Sequence, residues 1–245
     1  MRELGLSTAR SSEDSDLETL QRESFNYFIH EANPLNGLII DKTAKNWPAS
    51  IAATGLALTA YPVGVERGFW SRRDAVARTL LTMRFFWNSP QGTEPDATGY
   101  KGFYYHFLNM VTGRRTWDCE LSTIDSAILL AGALAAGVYF SDDTADEAEI
   151  RSLADALYRR ADWAWAQNGG ATVTHGWRPE SGFISYRCVR HQHQLDRMHD
   201  LNNGGFLAHR SRMENEDETE IRNTSDVVRT GCERHKAGDT EAVFG

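Results

Sequence analysis

The sequence predicts an all-α protein, an incomplete (α/α)6 toroid in which outer and inner helices alternate, followed by a polar tail. Segments that are apolar on every side alternate with amphipathic segments, which is typical of helices that are buried and half-exposed in turn. Gly-rich loops with similar aromatic residues recur at a spacing of about 65 to 80 residues. All seven Trp lie between Trp47 and Trp177, so the core-forming residues precede Cys188.

The first helix is predicted from its ends. Ser15 and Glu18 form a capping-box pattern, and apolar residues follow at helical spacing. Asn33-Pro34 and the following Asn36-Gly37 end the helix, because both dipeptides favour turns.

Four more helices follow, in two classes. The segments from about Pro48 to Tyr61 and from about Ser122 to Tyr139 are apolar or small all round, which predicts inner helices surrounded by protein. The segments from about Ser71 to Trp87 and from about Ala145 to Gln167 are amphipathic, which predicts outer helices. Stacked outer and inner helices that close on themselves form a toroid, and an irregular helical bundle is the alternative.

The repeated loops all join an outer helix to the start of an inner one. We therefore expect them to lie at one end of the toroid, where residues remote in sequence line one cavity. Aromatic rings in or near these loops are candidate substrate-binding residues, because their faces cover the C–H faces of sugar rings. The candidates are Trp47, Tyr104, Tyr105, Trp117, Trp177 and Tyr186.

The segment 116–125 contains three acids at the start of the fourth helix, Asp118, Glu120 and Asp125. Two carboxylates can cleave a glycosidic bond, one protonating the leaving oxygen and one activating water. Ser122 with Asp125 is equally a helix-capping pattern, and Asp118 and Glu120 would also suit a helix start electrostatically. We predict that these three acids and Glu180 in a later loop are catalytic, with Glu120 and Glu180 as acid and base and with Asp118 and Asp125 contacting sugar or tuning the pKa values of that pair. A solvated loop acid is the alternative for Glu180.

Other reactive side chains are weaker candidates. Trp117 and Trp177 could be core residues, and His106 is more typical of a hydrogen-bonded core His than of a sugar contact. Cys119 lacks a recognisable His partner for nucleophilic catalysis. Three cysteines without Cys-x-x-Cys spacing predict no disulfide framework and no zinc ribbon.

The composition bounds the class of partner and the compartment. A net charge of -8 argues against nonspecific nucleic-acid binding. No apolar run is long enough to span a bilayer, and the N-terminus has no apolar signal region, which predicts a cytoplasmic protein. Export stays open if the chain begins upstream. We predict neither a cofactor nor a metal.

The chain divides into three predicted regions: residues 1–16 as a flexible N-terminus, 17–187 as the helical region, and 188–245 as the tail. The tail is too polar to offset its chain entropy and is expected to be poorly ordered. His191, His193 and His199 could imitate a metal site, but no second ligand cluster accompanies them. A disrupted reading frame would explain the abrupt change in composition.

Three long motifs resemble the glycoamylase-like domain family, in the right order. They are WPASIAATGLALTAYPVGVERGFWSR (47–72), GYKGFYYHFLNMVTGRRTWDCELSTIDSAILLAGAL (99–134) and HGWRPESGFISYR (175–187). The resemblance covers about Leu17 to Arg187 and implies an (α/α)6 toroid similar to glucoamylases, with β-1,2-glucan-acting hydrolases among its members. It implies that Asp118, Glu120 and Asp125 form a substrate-facing acidic motif and that Glu180 lies in the cleft.

The resemblance ends near Arg187, where the family continues for about half a toroid more. We therefore expect a glucan-acting glycoside hydrolase domain, with β-1,2-glucan as substrate, that is truncated and weakly active or inactive as written. A non-catalytic sugar-binding remnant and a helical interaction scaffold are the alternatives. The apolar edge of a half-toroid would favour association with another molecule.

Overall fold

The structure is a computed structural model that describes residues 12–188, and the predicted polar tail and its His residues lie almost wholly outside this range. It is predominantly helical, with short strands between the helices. The helices are α1 (Ser12–His30), α2 (Ile51–Glu66), α3 (Arg72–Asn88), α4 (Thr123–Tyr139), α5 (Ala145–Arg160) and α6 (Trp163–Gln167). The strands are β1 (Ala49–Ser50), β2 (Gly99–Tyr100), β3 (Phe103–Tyr105), β4 (Phe107–Leu108), β5 (Leu121–Ser122), β6 (Gly176–Arg178) and β7 (Gly182–Phe183).

The alternation of inner and outer helices is confirmed. The inner helices α2 and α4 pack against each other, and the outer helices α3 and α5 do the same. A Cβ on Gly55 would lie 2.6 Å from the Leu129 Cα, and one on Gly132 would lie 2.1 Å from the Gly55 carbonyl oxygen. The two inner helices therefore touch backbone to backbone, and glycine at these positions permits that approach.

The predicted bounds of three helices are wrong. Helix α2 starts at Ile51, after the Ser50 cap, and continues through Pro62 to Glu66. The single helix expected from Ala145 to Gln167 is two helices, since Ala161 is extended and the Asp162 side chain accepts from the Trp165 N–H to start α6. Helix α1 already begins at Ser12, within the segment expected to be a flexible N-terminus.

Pairing between the loops was not predicted. Five short strands form an antiparallel sheet in the order β2-β3-β5-β6-β7, and β1 pairs with β4. Tyr104 lies opposite Ser122, and Leu121 lies opposite Trp177. Because β2, β3 and β5 lie between α3 and α4 whereas β6 and β7 follow α6, the sheet fixes these two loops to each other at the start of α4. The β1–β4 pair joins the loop before α2 to the loop before α4.

The predicted burial of side chains along α4 is confirmed, although one side of this helix stays partly exposed to solvent. Leu129 and Leu130 are 3% and 2% exposed, and Leu134 is half-buried. Each inner helix nevertheless presents large apolar side chains to solvent within residues 12–188. They are Leu56 and Val63 on α2, and Ile124 and Val138 on α4, which we call the exposed inner-helix residues. Complete burial of these two helices is therefore not observed in the described part.

Candidate functional site

The carboxylate cluster consists of Glu120, Asp125 and the imidazole of His106. The His106 Nδ1 lies 3.3 Å from Glu120 Oε1 and 3.4 Å from Asp125 Oδ2. His106 connects β3 to β4, and its backbone N–H donates to the Glu120 carbonyl at 3.0 Å. Asp125 lies in the first turn of α4, whose cap Ser122 accepts from the Asp125 N–H at 3.1 Å. Strand pairing and the helix cap thus bring both acids to one imidazole.

Glu120 and His106 each favour the ionised form of the other. The hydrogen bond from His106 lowers the pKa of Glu120 to about 2, although burial opposes the shift. Arg178 adds to it, with its Nη2 at 3.5 Å from Glu120 Oε2. The hydrogen bond to Glu120 raises the pKa of His106 against its burial, and the charges of Asp125 and Asp41 add to the increase. Glu120 is therefore an anion at neutral pH, and His106 donates through Nδ1.

A row of aromatic rings extends from the cluster. The His106 ring stacks on Phe107 with centroids 4.0 Å apart, and Phe107 meets Trp117 edge-on at 5.2 Å. Trp117 meets Trp47 at 4.8 Å. Trp117 is 54% exposed and Trp47 is partly exposed. We call Trp47, Phe107 and Trp117 the aromatic row; it offers partly exposed rings beside the carboxylate cluster.

The turn before Glu120 has an unusual backbone. Trp117 and Asp118 have φ values of 59° and 48°, both in the left-handed region that residues other than glycine seldom adopt. The Asp118 side chain is exposed at the tip of this turn. Consecutive left-handed residues mark a turn that its surroundings hold in place, and such strain is concentrated at functional sites.

The prediction that the Tyr104 and Tyr105 rings contact sugar is wrong. Tyr104 and Tyr105 are both 0% exposed, so neither ring presents a face to a ligand. The Tyr104 hydroxyl donates to the Phe86 carbonyl at 3.0 Å, and the Arg115 guanidinium lies 4.7 Å from the centre of the Tyr105 ring. Both rings are core residues, because neighbouring side chains of a strand point to opposite faces and each ring is covered on its own face, Tyr104 by Phe86 and Tyr105 by Arg115.

The remaining aromatic candidates differ in exposure. Trp177 is half-buried and packs against Tyr100 and Trp165, with centroids 5.1 Å and 5.8 Å away. This contact fits the alternative of a core residue better than a sugar platform. Tyr186 is 67% exposed, with the His175 ring stacked 6.4 Å away.

Glu180 lies in the same loop cluster as Glu120 but has a different partner. Its carboxylate accepts two hydrogen bonds from Arg115, at 2.6 Å and 3.2 Å. This bond is the main reason that the pKa of Glu180 is lowered. A carboxylate held in a bidentate pair is not free to exchange a proton with a substrate, which favours a structural role for Glu180.

Possible metal ligands and the Cys119 thiol are the other reactive groups of the described residues. Within residues 12–188, no group of three or more His, Cys, Asp and Glu side chains could hold a metal ion. Cys119 is buried, and its burial raises the pKa of the thiol. Its Sγ accepts from the Phe107 N–H at 3.3 Å, which is a packing role. No helix of this part is long and apolar enough to cross a membrane.

His106 is the residue whose role the sequence interpretation missed. A His beside two Tyr in an apolar strand is typical of the core, and nothing in the local pattern connects it to acids 14 and 19 residues later. The sequence does place His106 in one of the repeated loops. That position is a signal of a functional role, because the same loop carries the aromatic candidates.

Comparison with known proteins confirms the resemblance over about 70% of the chain. No protein-family model matches. An exo-β-1,2-glucooligosaccharide sophorohydrolase from Parabacteroides distasonis is 26% identical over 176 residues, which are 69% of this chain and 23% of that protein.

Solved structures give the same fold. A candidate glucoamylase from Bacteroides uniformis is 29% identical with a TM-score of 0.61, covering 74% of this chain and 42% of its own. A β-1,2-glucanase from Parabacteroides distasonis is 25% identical with a TM-score of 0.61, covering 68% of this chain and 24% of its own. The helices are thus part of a glucoamylase-like α/α toroid, and the chain spans less than half the length of these relatives.

Proposed function

We propose that this chain forms part of the glucan-binding cleft of a glycoside hydrolase, with β-1,2-glucan as its substrate. The observation that carries the proposal is the carboxylate cluster beside the aromatic row. Rings that cover sugar faces and ionised groups that accept from sugar hydroxyls are the two needs of carbohydrate recognition. The linkage is taken from relatives whose names specify β-1,2-glucan or its oligosaccharides.

Within this cleft we assign Glu120 and Asp125 to the reacting centre and Asp118 to its rim. The lowered pKa of Glu120, about 2, keeps it an anion that can accept a hydrogen bond from a sugar hydroxyl, although so low a pKa makes it a weak general base. Trp117, Trp47 and Tyr186 are the proposed ring contacts, since each retains exposed surface.

Sugar binding without turnover is the second candidate, and one observation favours it. Every described carboxyl group whose pKa departs from its ordinary value has a lowered one, at Asp74, Glu120, Glu147, Glu149 and Glu180. A general acid needs a raised pKa to hold its proton at neutral pH. These five carboxylates are therefore anions that can accept hydrogen bonds from a sugar, and none of the five holds a proton to donate at neutral pH.

Calorimetric titration of the full chain with sophorotriose, cellotriose and laminaritriose tests the proposal. We expect binding of the β-1,2-linked trimer, weakened about tenfold by Glu120→Gln, because one charge-assisted hydrogen bond is lost. Glu149→Gln, which breaks a surface ion pair between α3 and α5, is the matched control and should leave affinity unchanged. Absence of binding to any of the three sugars would contradict the proposal.

Release of glucose or sophorose from β-1,2-glucan separates the two candidates. Turnover that Glu120→Gln abolishes supports hydrolysis. Binding with no turnover supports the sugar-binding alternative.

A further inference from the structure

Arg115 is a buried cation at the centre of the loop cluster. Its side chain is 1% exposed, and its Nε donates to the Cys119 carbonyl at 2.6 Å. Its Nη1 donates to the Pro95 carbonyl at 3.2 Å and to Glu180 at 2.6 Å. The guanidinium thus joins three chain segments, and Glu180 is the carboxylate that compensates its charge.

The segment that Arg115 holds is the one that carries Glu120. Cys119 directly precedes Glu120, and the two residues before Cys119 are the left-handed Trp117 and Asp118. A turn with two consecutive left-handed residues returns to commoner backbone angles unless contacts hold it. The hydrogen bond to the Cys119 carbonyl fixes the end of this turn, and therefore the position from which the Glu120 side chain extends.

Glu180 in turn fixes the guanidinium. The two hydrogen bonds from Nη1 and Nη2 to Glu180 fix the plane of the Arg115 guanidinium. In that plane the Nε–H points to the Cys119 carbonyl. Removal of the carboxylate would leave an uncompensated buried cation, which has to rotate toward solvent or to another acceptor.

We propose that Arg115 and Glu180 are positioning residues that hold Glu120 against His106, and that Glu180 has no acid/base role. The inference rests on the proposed function for its role in sugar binding. The physical link between Glu180 and Glu120 stands independently of it. The pair acts across the sheet, because Glu180 follows β6 whereas Arg115 and Cys119 precede β5.

A double-mutant cycle read out by NMR tests the proposal in the full chain. The titration of the His106 imidazole is followed in the native chain, Glu180→Gln, Glu120→Gln and the double variant. Glu180 is 49% exposed, so Glu180→Gln should fold, and far-UV circular dichroism checks this. Glu149→Gln is the control, since it breaks another bidentate Arg–Glu pair.

We expect Glu180→Gln to lower the pKa of His106 in the native background and to have no further effect once Glu120 is Gln. Arg115→Lys keeps the positive charge but loses the bidentate guanidinium, so it should also lower the pKa of His106. An unchanged pKa in Glu180→Gln would overturn the proposal. An equal decrease in both backgrounds would also overturn the proposal, because the charge of Glu180 would then act on His106 directly and not through Glu120.

Sugar titration distinguishes this inference from the proposed function. If the native chain binds sophorotriose, Glu180→Gln should weaken binding about tenfold, as Glu120→Gln does, and unchanged affinity would overturn the positioning role. If the native chain binds no sugar while the His106 cycle shows coupling, the positioning inference stands and the proposed function fails.

Discussion

At the scale of single residues, the ion pair between His106 and Glu120 makes stability depend on pH. Glu120 has its pKa lowered from 4.5 to about 2, so its contribution is complete above 4.5 and is lost as pH falls toward 2. His106 has its pKa raised above 6.5, so its contribution is complete below 6.5 and is lost as pH rises through the raised value.

We therefore expect Glu120→Gln to destabilise the protein most between these ordinary values of 4.5 and 6.5, by about 1 kcal/mol for a partly exposed charged hydrogen bond. Urea unfolding at several pH values measures the difference from the native chain. A difference that does not vary with pH would show that the pair is not ionised as described.

Loss of the Trp117 ring should lower sugar affinity more than the free energy of unfolding, because the ring is exposed. Trp117→Ala removes an edge-on contact with each of its neighbours in the aromatic row. We expect sugar affinity to fall roughly five- to tenfold, the range of about 1 kcal/mol for one aromatic contact. Calorimetry gives the affinity, and thermal unfolding checks that the fold is retained. Unchanged affinity would exclude the ring from the sugar site.

At the scale of elements, the close contact of α2 and α4 is the feature most sensitive to substitution. A Cβ on Gly132 would lie 2.1 Å from the Gly55 carbonyl oxygen, which is backbone and cannot rotate away. Gly132→Ala should therefore destabilise by about 2 kcal/mol despite its better helix propensity. Ala131→Ser, on the exposed side of the same helix, is the control. Denaturant unfolding measures both, and a neutral Gly132→Ala would contradict the described packing.

The helices could be predicted from sequence, whereas the strands could not. The segments of α2 and α4 are apolar or small over more than four turns, which is too long for a strand, so tertiary context changed little beyond the ends of these helices. A strand of two residues has no period, and pairs such as Leu121 with Trp177 join segments more than 50 residues apart. The break at Ala161 has neither Gly nor Pro to mark it.

The candidate site was predicted in part for the same reason. The acids 118–125 are local in sequence and could be found as a motif. The burial of Tyr104 and Tyr105 depends on the groups that cover the two faces of β3, among them Phe86 and Arg115. The pairing of Arg115 with Glu180 depends on a sheet that no sequence pattern indicates. The role of His106 likewise follows only from the fold.

At the scale of the whole molecule, the exposed inner-helix residues predict association. Leu56 and Val63 are seven residues apart on α2, and Ile124 and Val138 are fourteen apart on α4, so each pair lies on one side of its helix and extends an exposed apolar strip along it. We expect the sedimentation coefficient of the chain to rise with concentration, and Leu56→Gln with Val138→Gln to reduce this rise. A coefficient that is constant over the concentration range would contradict an association surface on these helices.

The central claim is that the aromatic row and the carboxylate cluster form one sugar-binding site, and indole NMR signals test it most directly. The seven Trp side chains each report on a different position of the chain. On titration with sophorotriose we expect saturable shifts of the Trp47 and Trp117 indole N–H signals, while those of Trp163 and Trp165, packed against Phe103, stay unchanged. Saturable shifts confined to Trp163 and Trp165, or none at any Trp, would contradict the account.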